Sequence, residues 1–299
     1  MVVIITFGLT IMDIFKEFEL RKTDYSKIKG YSTFALRDVR VVDVSIIIPV
    51  YERTEFHKIL VKHFKDAISI SGKKISLTFV EHSEVPDHMS LCEDWVNYIF
   101  IPKEDEDEPF NKCLAHNIGA LYSNKAKYYL FHDIDTIMRK DFFIKLFRNI
   151  RNNDALQSFA KRRLQYCNEE ITKKILSGEE KLKNISIGHP DVSVGVEGAV
   201  GGSIFVTAEM FFNTGGYSPE FFSEYSVEDQ SFWDSISALG EIESCNNPVI
   251  EMYHLYHENH HRVTKQKDWD AFNSFRDLNY ENRMCFIKER SEHLKQFRK

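Results

Sequence analysis

An α/β fold with a mostly parallel central sheet is the architecture this sequence predicts, and three observations point to it. Short apolar runs of strand length recur through the first half. Segments with helical spacing separate them. Acidic and polar side chains gather where the runs end. Residues 41–50 (VVDVSIIIPV) form a continuous apolar run ended by Pro49, the pattern of a strand buried on both faces. Residues 55–70 have helical spacing, with Ile59, Leu60, His63, Phe64 and Ala67 on one side. Residues 75–80 (ISLTFV) read as a second strand and 98–101 as a short third. Residues 110–123 read as a helix striped by Leu114, Ile118 and Leu121, and 127–131 (KYYLF) as a fourth strand running into His132-Asp133-Ile134-Asp135. This alternation is the mark of a parallel sheet with crossover helices. Ligands in such sheets sit beyond the carboxyl ends of the strands, so the loops after Pro49, Val80 and Phe131 are candidate walls of a site.

The second half is less regular. Residues 141–181 look largely helical and highly charged, and 184–202 are rich in Gly, Val and Ser, forming a loop that enters a strand at 203–207. A short helix over 209–213 stops at Gly215-Gly216; a further helix covers 227–239 and a short strand 249–254. Residues 264–299 read as a charged helical tail whose KERSEHLKQFRK ending is a solvated face. No Gly/Ser or Pro linker divides the chain. The expected organisation is an extension packed on the body over 1–40, one catalytic domain over 41–262, and the helical tail from 263.

Composition narrows the function classes. The chain has 299 residues, 39 Lys+Arg against 45 Asp+Glu, and 24 Phe, which excludes a disordered protein and allows burial of roughly 75% of the unfolded surface. A net charge of -6 argues against a general nucleic-acid binder. Five cysteines without a CxxC pair fit a reducing compartment better than a disulfide framework or a structural zinc site. The uncharged run at 1–12 is short of the about twenty residues that span a bilayer and lacks a basic leader, so it predicts a packed strand or helix start, with at most a peripheral membrane contact.

Asp133 and Asp135 leave an apolar strand with one residue between them; extended backbone would turn both carboxylates to one side, where they can hold a hard divalent cation that clamps a diphosphate. Alone, that pair is weak. Around it stand FNKCLAHNIG (110–119), FHDIDTIM (131–138), Gly201-Gly202 before an apolar strand, GGYSPEFFSEYSVED (215–229), and His254 with His257. In this order the set resembles the metal-dependent GT-A glycosyltransferases, more narrowly the β-1,4-galactosyltransferase and chondroitin-synthase type, over roughly residues 44–262. The resemblance implies a Rossmann-like sheet with a smaller antiparallel sheet on the acceptor side.

It also implies roles. Asp135 would bind Mn²⁺ (or Mg²⁺) directly, with Asp133 on the ribose or bridged to the metal through water, and His254 or His257 completing the site. Pro49, Tyr51, Arg53, Glu81, Lys112 and Gly202 would contact the donor: Tyr51 stacking on a base, Arg53 and Lys112 facing phosphate, Glu81 bonding uracil or ribose. Asp229 would be the base that inverting transfer needs, since a neutral alcohol is a poor nucleophile, with Glu228 and Tyr225 on the acceptor. The family's tryptophan-and-glycine stretch is replaced by Ser223 to Val227, its third acid by Gln230, and the proline after the acidic pair is absent.

The expected protein is thus an inverting hexosyltransferase carrying galactose or N-acetylgalactosamine from a UDP-sugar to a saccharide or glycolipid acceptor. Surface-polysaccharide synthesis in a cytoplasmic setting is its expected context. A nucleotidyltransferase is the first alternative; it would want a Gly-rich loop after the first strand, and residues 49–54 hold no glycine. A catalytically silent sugar-binding module is the second.

Overall fold

Period-two alternation sorts the central strand between two cores. In β2 (Val42–Val50), Val44, Ile46, Ile48 and Val50 join one buried cluster and Ile47 the other. The computed structural model describes residues 22–31, 33–36, 41–152, 158–159, 162–185, 189–193, 201–222, 226–239, 250–258 and 265–298. Its larger sheet adds β1 (Thr33–Ala35), β3 (Ile75–Ser83), β4 (Asn97–Pro102), β5 (Ala126–His132), β7 (Ser158–Phe159) and β10 (Ser203–Thr207), in the order β1-β4-β3-β2-β5-β10-β7. The inner four, β4-β3-β2-β5, run parallel, while β1, β10 and β7 pair antiparallel. The ends of β2, β3 and β5 therefore open at one edge, as the sequence led us to expect. Pro49 does not end its strand: it lies in register with Val80, and pairing continues to Val50 with Glu81.

Helices α2 (Thr54–Ser71) and α3 (Lys112–Tyr122) cover opposite faces: Phe56, Leu60 and Phe64 of α2 belong to one core cluster, Leu114, Ile118 and Leu121 of α3 to the other. Asn111 caps α3, its side chain accepting from Leu114 N at 2.9 Å. This cap puts Lys112 at the first turn, facing the sheet edge where β5 ends.

The span 141–181 departs from the helical expectation. It holds α4 (Phe142–Asn152), the short β7, β8 (Arg162–Cys167) and α5 (Glu169–Ser177). RRLQYC carries no strand pattern of its own. It becomes a strand because β11 (Ile250–His254) lies parallel beside it. Together with β6 (Thr136–Met138) and β9 (Val192–Ser193) they form a second sheet, β6-β11-β8-β9, whose outer pairings are antiparallel and whose central pairing is parallel. This sheet is mixed, where the family resemblance implied an antiparallel one.

The tail is two helices, α8 (Gln266–Asp277) and α9 (Tyr280–Lys295), and it is not a solvated appendage. Phe272, Phe275, Phe286, Ile287 and Leu294 are buried, as is Arg290 at 5% exposure. The charge density hid an apolar face packed on α6 (Ala208–Thr214) and α7 (Glu228–Leu239). At the other end, α1 (Tyr25–Tyr31) packs through the buried Tyr25, whose hydroxyl accepts from Asn117 Nδ2 at 2.7 Å. Residues 1–12 lie outside the described residues. Among the described residues no helix is long and apolar enough to cross a membrane.

Candidate active site

Two clusters occupy the sheet edge beyond β5, one on each acid of the Asp133-Ile134-Asp135 segment. The chain turns here, with Thr136 N donating to Asp133 O at 3.2 Å, so the backbone is not the extended one that would send both carboxylates to one side. The first cluster forms on Asp135, which is 3% exposed. His254 Nε2 lies 3.6 Å from its Oδ1, His257 Nε2 3.2 Å from its Oδ2, and Arg53 Nη1 2.5 Å from its Oδ2. Leu255 N donates to the Asp135 carbonyl at 2.7 Å, and His254 pairs with Thr136, so backbone stitches both histidines to the acid. Burial alone would raise the Asp135 pKa; the hydrogen bond from His257 and the charges of His254 and Arg53 hold it well below the carboxylate range instead. The sequence offered His254 or His257; the structure brings both to Asp135.

Ligand atoms of Asp135, His254 and His257 all lie within 4.8 Å of one another. One carboxylate and two imidazoles suit a first-row divalent ion, Mn²⁺ rather than Mg²⁺, so the residues present fit the metal that the resemblance implied. Asp133 falls outside this group.

The second cluster forms on Lys112. Its Nζ lies 3.1 Å from Asp133 Oδ1, 3.2 Å from Glu228 Oε1 and 3.0 Å from Asp229 Oδ2. An ammonium at a helix N-terminus opposes the helix dipole, and burial disfavours it further. Against burial, Asp133, Asp229 and Glu228 hold the Lys112 pKa well above its usual value. Glu228 and Asp229 open α7, where the dipole favours carboxylates. Glu228 is nevertheless pushed up to about 7, by burial above all and by its neighbour Asp229, with Lys112 pulling the other way. Gly202, at φ 81, adopts a conformation that a β-carbon disfavours, and its carbonyl accepts from Asp133 N at 3.0 Å. The expected donor-side glycine thus holds the turn that presents Asp133.

The wall after β2 is strained. Glu52 and Arg53 both have left-handed backbone, φ 55 and 54, at a cost of about 1–3 kcal/mol each. Tyr51 stacks on Phe110 with centroids 5.5 Å apart, and Lys103 Nζ stands 4.3 Å over its ring. Glu81, expected on uracil or ribose, is fully buried, and its carboxylate accepts from Tyr98 Oη, Ser83 Oγ, Asp87 N and His88 N at 2.5–3.1 Å. Ser83 shares its one hydroxyl proton with the Val85 carbonyl, and together these contacts tie Glu81 to the loop after β3.

Beneath the second cluster, Asn117 binds the backbone of Tyr217 both ways, accepting from N and donating to O, each at 2.9 Å. Gly216, at φ 67, must be glycine: a β-carbon there would meet Asn117 Oδ1 at 2.6 Å. Arg290 donates to the carbonyls of Gly215 and Gly216 at 3.3 Å, and also to Tyr217 O and Ser218 Oγ. The Asn-x-Gly and Gly-Gly-Tyr motifs are therefore one scaffold. Sequence reasoning missed Arg290, hidden in the charged tail, and His88, which no periodicity marks. Tyr225, the expected acceptor platform, lies outside the described residues, as do His260 and His261.

A mostly parallel crossover sheet beside a smaller second sheet is the GT-A architecture, and a solved structure shares that fold. The chain resembles S. aureus TarS 1–349 in complex with UDP-GlcNAc at a TM-score of 0.56 and 13% identity, covering 85% of this chain and 71% of that one. A mutant Drosophila β-1,4-galactosyltransferase 7 in complex with manganese, UDP-Gal and xylobiose aligns at a TM-score of 0.47 and 15% identity, over 76% of this chain and 79% of that one. No protein-family model matches the sequence, nor does any curated protein.

Proposed function

We propose that this protein is a metal-dependent, inverting glycosyltransferase that moves a hexose from a UDP-sugar to a saccharide or glycolipid acceptor. One observation carries the reading: a metal-ready cluster of Asp135, His254 and His257 stands at the edge where Arg53 and Lys112 supply positive charge for a diphosphate. TarS 1–349, which shares the fold, was solved with UDP-GlcNAc. The sequence motifs favour galactose or N-acetylgalactosamine as the sugar, and surface-polysaccharide synthesis as the setting.

In this reading Asp135, His254 and His257 hold Mn²⁺, which when bound neutralises charge developing on the departing UDP. Arg53 and Lys112 orient the diphosphate from the two sides, and the Tyr51–Phe110 stack borders the nucleotide. Asp229 takes the proton of the acceptor hydroxyl as that oxygen bonds to the anomeric carbon and the carbon–phosphate-oxygen bond breaks. Glu228 binds acceptor hydroxyls. Its pKa of about 7 favours a second assignment, with Glu228 as the base, because a base works best with a pKa near the working pH.

A panel of UDP-sugars assayed for UDP release with and without Mn²⁺ tests the proposal, since donor hydrolysis needs no known acceptor. Mn²⁺-dependent release from one UDP-hexose is expected. Release of pyrophosphate from a nucleoside triphosphate and a sugar phosphate would favour the nucleotidyltransferase, and binding without turnover the silent module.

A further inference from the structure

Glu52 and Arg53 carry left-handed backbone back to back at the mouth of the site, a conformation that persists where contacts over-determine it. The Glu52 side chain is exposed, so the grip is on its backbone. Its carbonyl lies 2.7 Å from His88 Nε2, and His88 Nδ1 lies 3.0 Å from His57 Nδ1. These contacts fix the protons. A carbonyl only accepts, so His88 carries a hydrogen on Nε2, and in the neutral ring its Nδ1 is the acceptor. His57 then donates to it from Nδ1. Both rings are at 0% exposure, with His57 stacked on Phe79 at 4.2 Å. His88 N donates to the buried Glu81 at 3.1 Å, which ties the same residue to the end of β3.

We propose that His88, oriented by His57 and Glu81, is a positioning residue: it clamps the Glu52 carbonyl, locks the Glu52–Arg53 turn, and so aims the Arg53 guanidinium at Asp135 and at a bound diphosphate. The diphosphate rests on the proposed function; the clamp itself does not. Burial also takes the His57 pKa down to about 4, so that ring stays neutral at pH 7. The Glu81 carboxylate that the sequence assigned to the nucleotide acts one step back, through His88 and Arg53.

Long-range ¹H–¹⁵N spectra of histidine-labelled protein at pH 7 test the clamp without any nucleotide. His88 should be the Nε2–H tautomer and His57 the Nδ1–H tautomer; His88 in the Nδ1–H form overturns the clamp whatever the activity. Calorimetry with Mn²⁺ and UDP tests what the clamp serves. His88→Phe keeps a ring beside Phe79 and removes the donor; UDP should bind about tenfold more weakly once the turn is no longer preorganised. His88→Gln, whose amide restores an N–H, should recover to within about threefold of wild type. On an Arg53→Ala background, His88→Phe should cost less than about twofold more, because the two act in one chain. Unchanged affinity in His88→Phe, or a full further loss on top of Arg53→Ala, overturns the positioning role. If His88→Phe does not fold, the wild-type tautomers and the Gln variant decide. Wild-type protein that binds no UDP sinks the donor reading and the role of Arg53 with it, while the spectra still decide the clamp.

Discussion

Asp133 and Asp135 stand two positions apart, yet their surroundings balance a carboxylate in opposite ways. Asp135 faces two imidazoles and a guanidinium, partners that can share it with a divalent ion. Asp133 shares a single ammonium with Glu228 and Asp229, so three acids lean on one permanent cation. In the proposed function the first corner lends its charge to a metal ion and the diphosphate. The second spreads one ammonium over three acids, and burial there raises the Glu228 pKa. The proposed function, which binds a metal–diphosphate on one side and deprotonates an alcohol on the other, needs both.

Five substitutions would break or sharpen that contrast. The largest effect belongs to the first corner: Asp135→Ala should abolish Mn²⁺-dependent UDP binding in calorimetry, because the diphosphate charge then goes unscreened. Full-strength binding that survives EDTA would end the metal assignment. In the second corner, Asp229→Asn should slow sugar transfer by about 10²–10⁴ while UDP affinity hardly changes. A folded variant with near-normal transfer would move the role of base to Glu228. Next, His254→Ala and His257→Ala should each raise the Mn²⁺ needed for half-maximal UDP binding at least about tenfold, since both rings lie against Asp135. One silent variant would leave a site with a single histidine.

The smallest effect is on stability against pH. Glu228 titrates at about 7 in the folded protein against an ordinary 4.5, so between these values the folded state binds more protons than the unfolded. Its contribution to stability is therefore present at low pH and lost as pH rises through that window. Glu228→Gln removes this slope, so its melting temperature relative to wild type should climb from pH 5 to pH 8. A constant difference across that range would show that Glu228 does not titrate there.

The parallel sheet was legible because burial on both faces demands unbroken apolar runs, and 41–50 is one. The acids were legible because the turn after β5 and the start of α7 leave their mark as short motifs. What escaped was set by neighbours distant in sequence. Strand β8 exists through its pairing with β11, and Arg290 reads as one more charge in a charged helix until the carbonyls of residues 215–217 are seen around it. The partners of Glu81 were hidden for the same reason: nothing in ISLTFVEHS tells that Tyr98, Asp87 and His88 will hydrogen-bond that carboxylate.

Arg290 has a consequence for the order of events during synthesis. The carbonyls it satisfies precede the two acids of α7 by about a dozen residues, but the guanidinium itself is made some seventy residues later. A nascent chain that has already emitted every residue of both clusters still lacks the donor that seals the Gly-Gly-Tyr turn beneath them. A chain cut between α8 and α9 would carry every side chain of both clusters over a Gly-Gly-Tyr turn whose carbonyls lack the Arg290 donor.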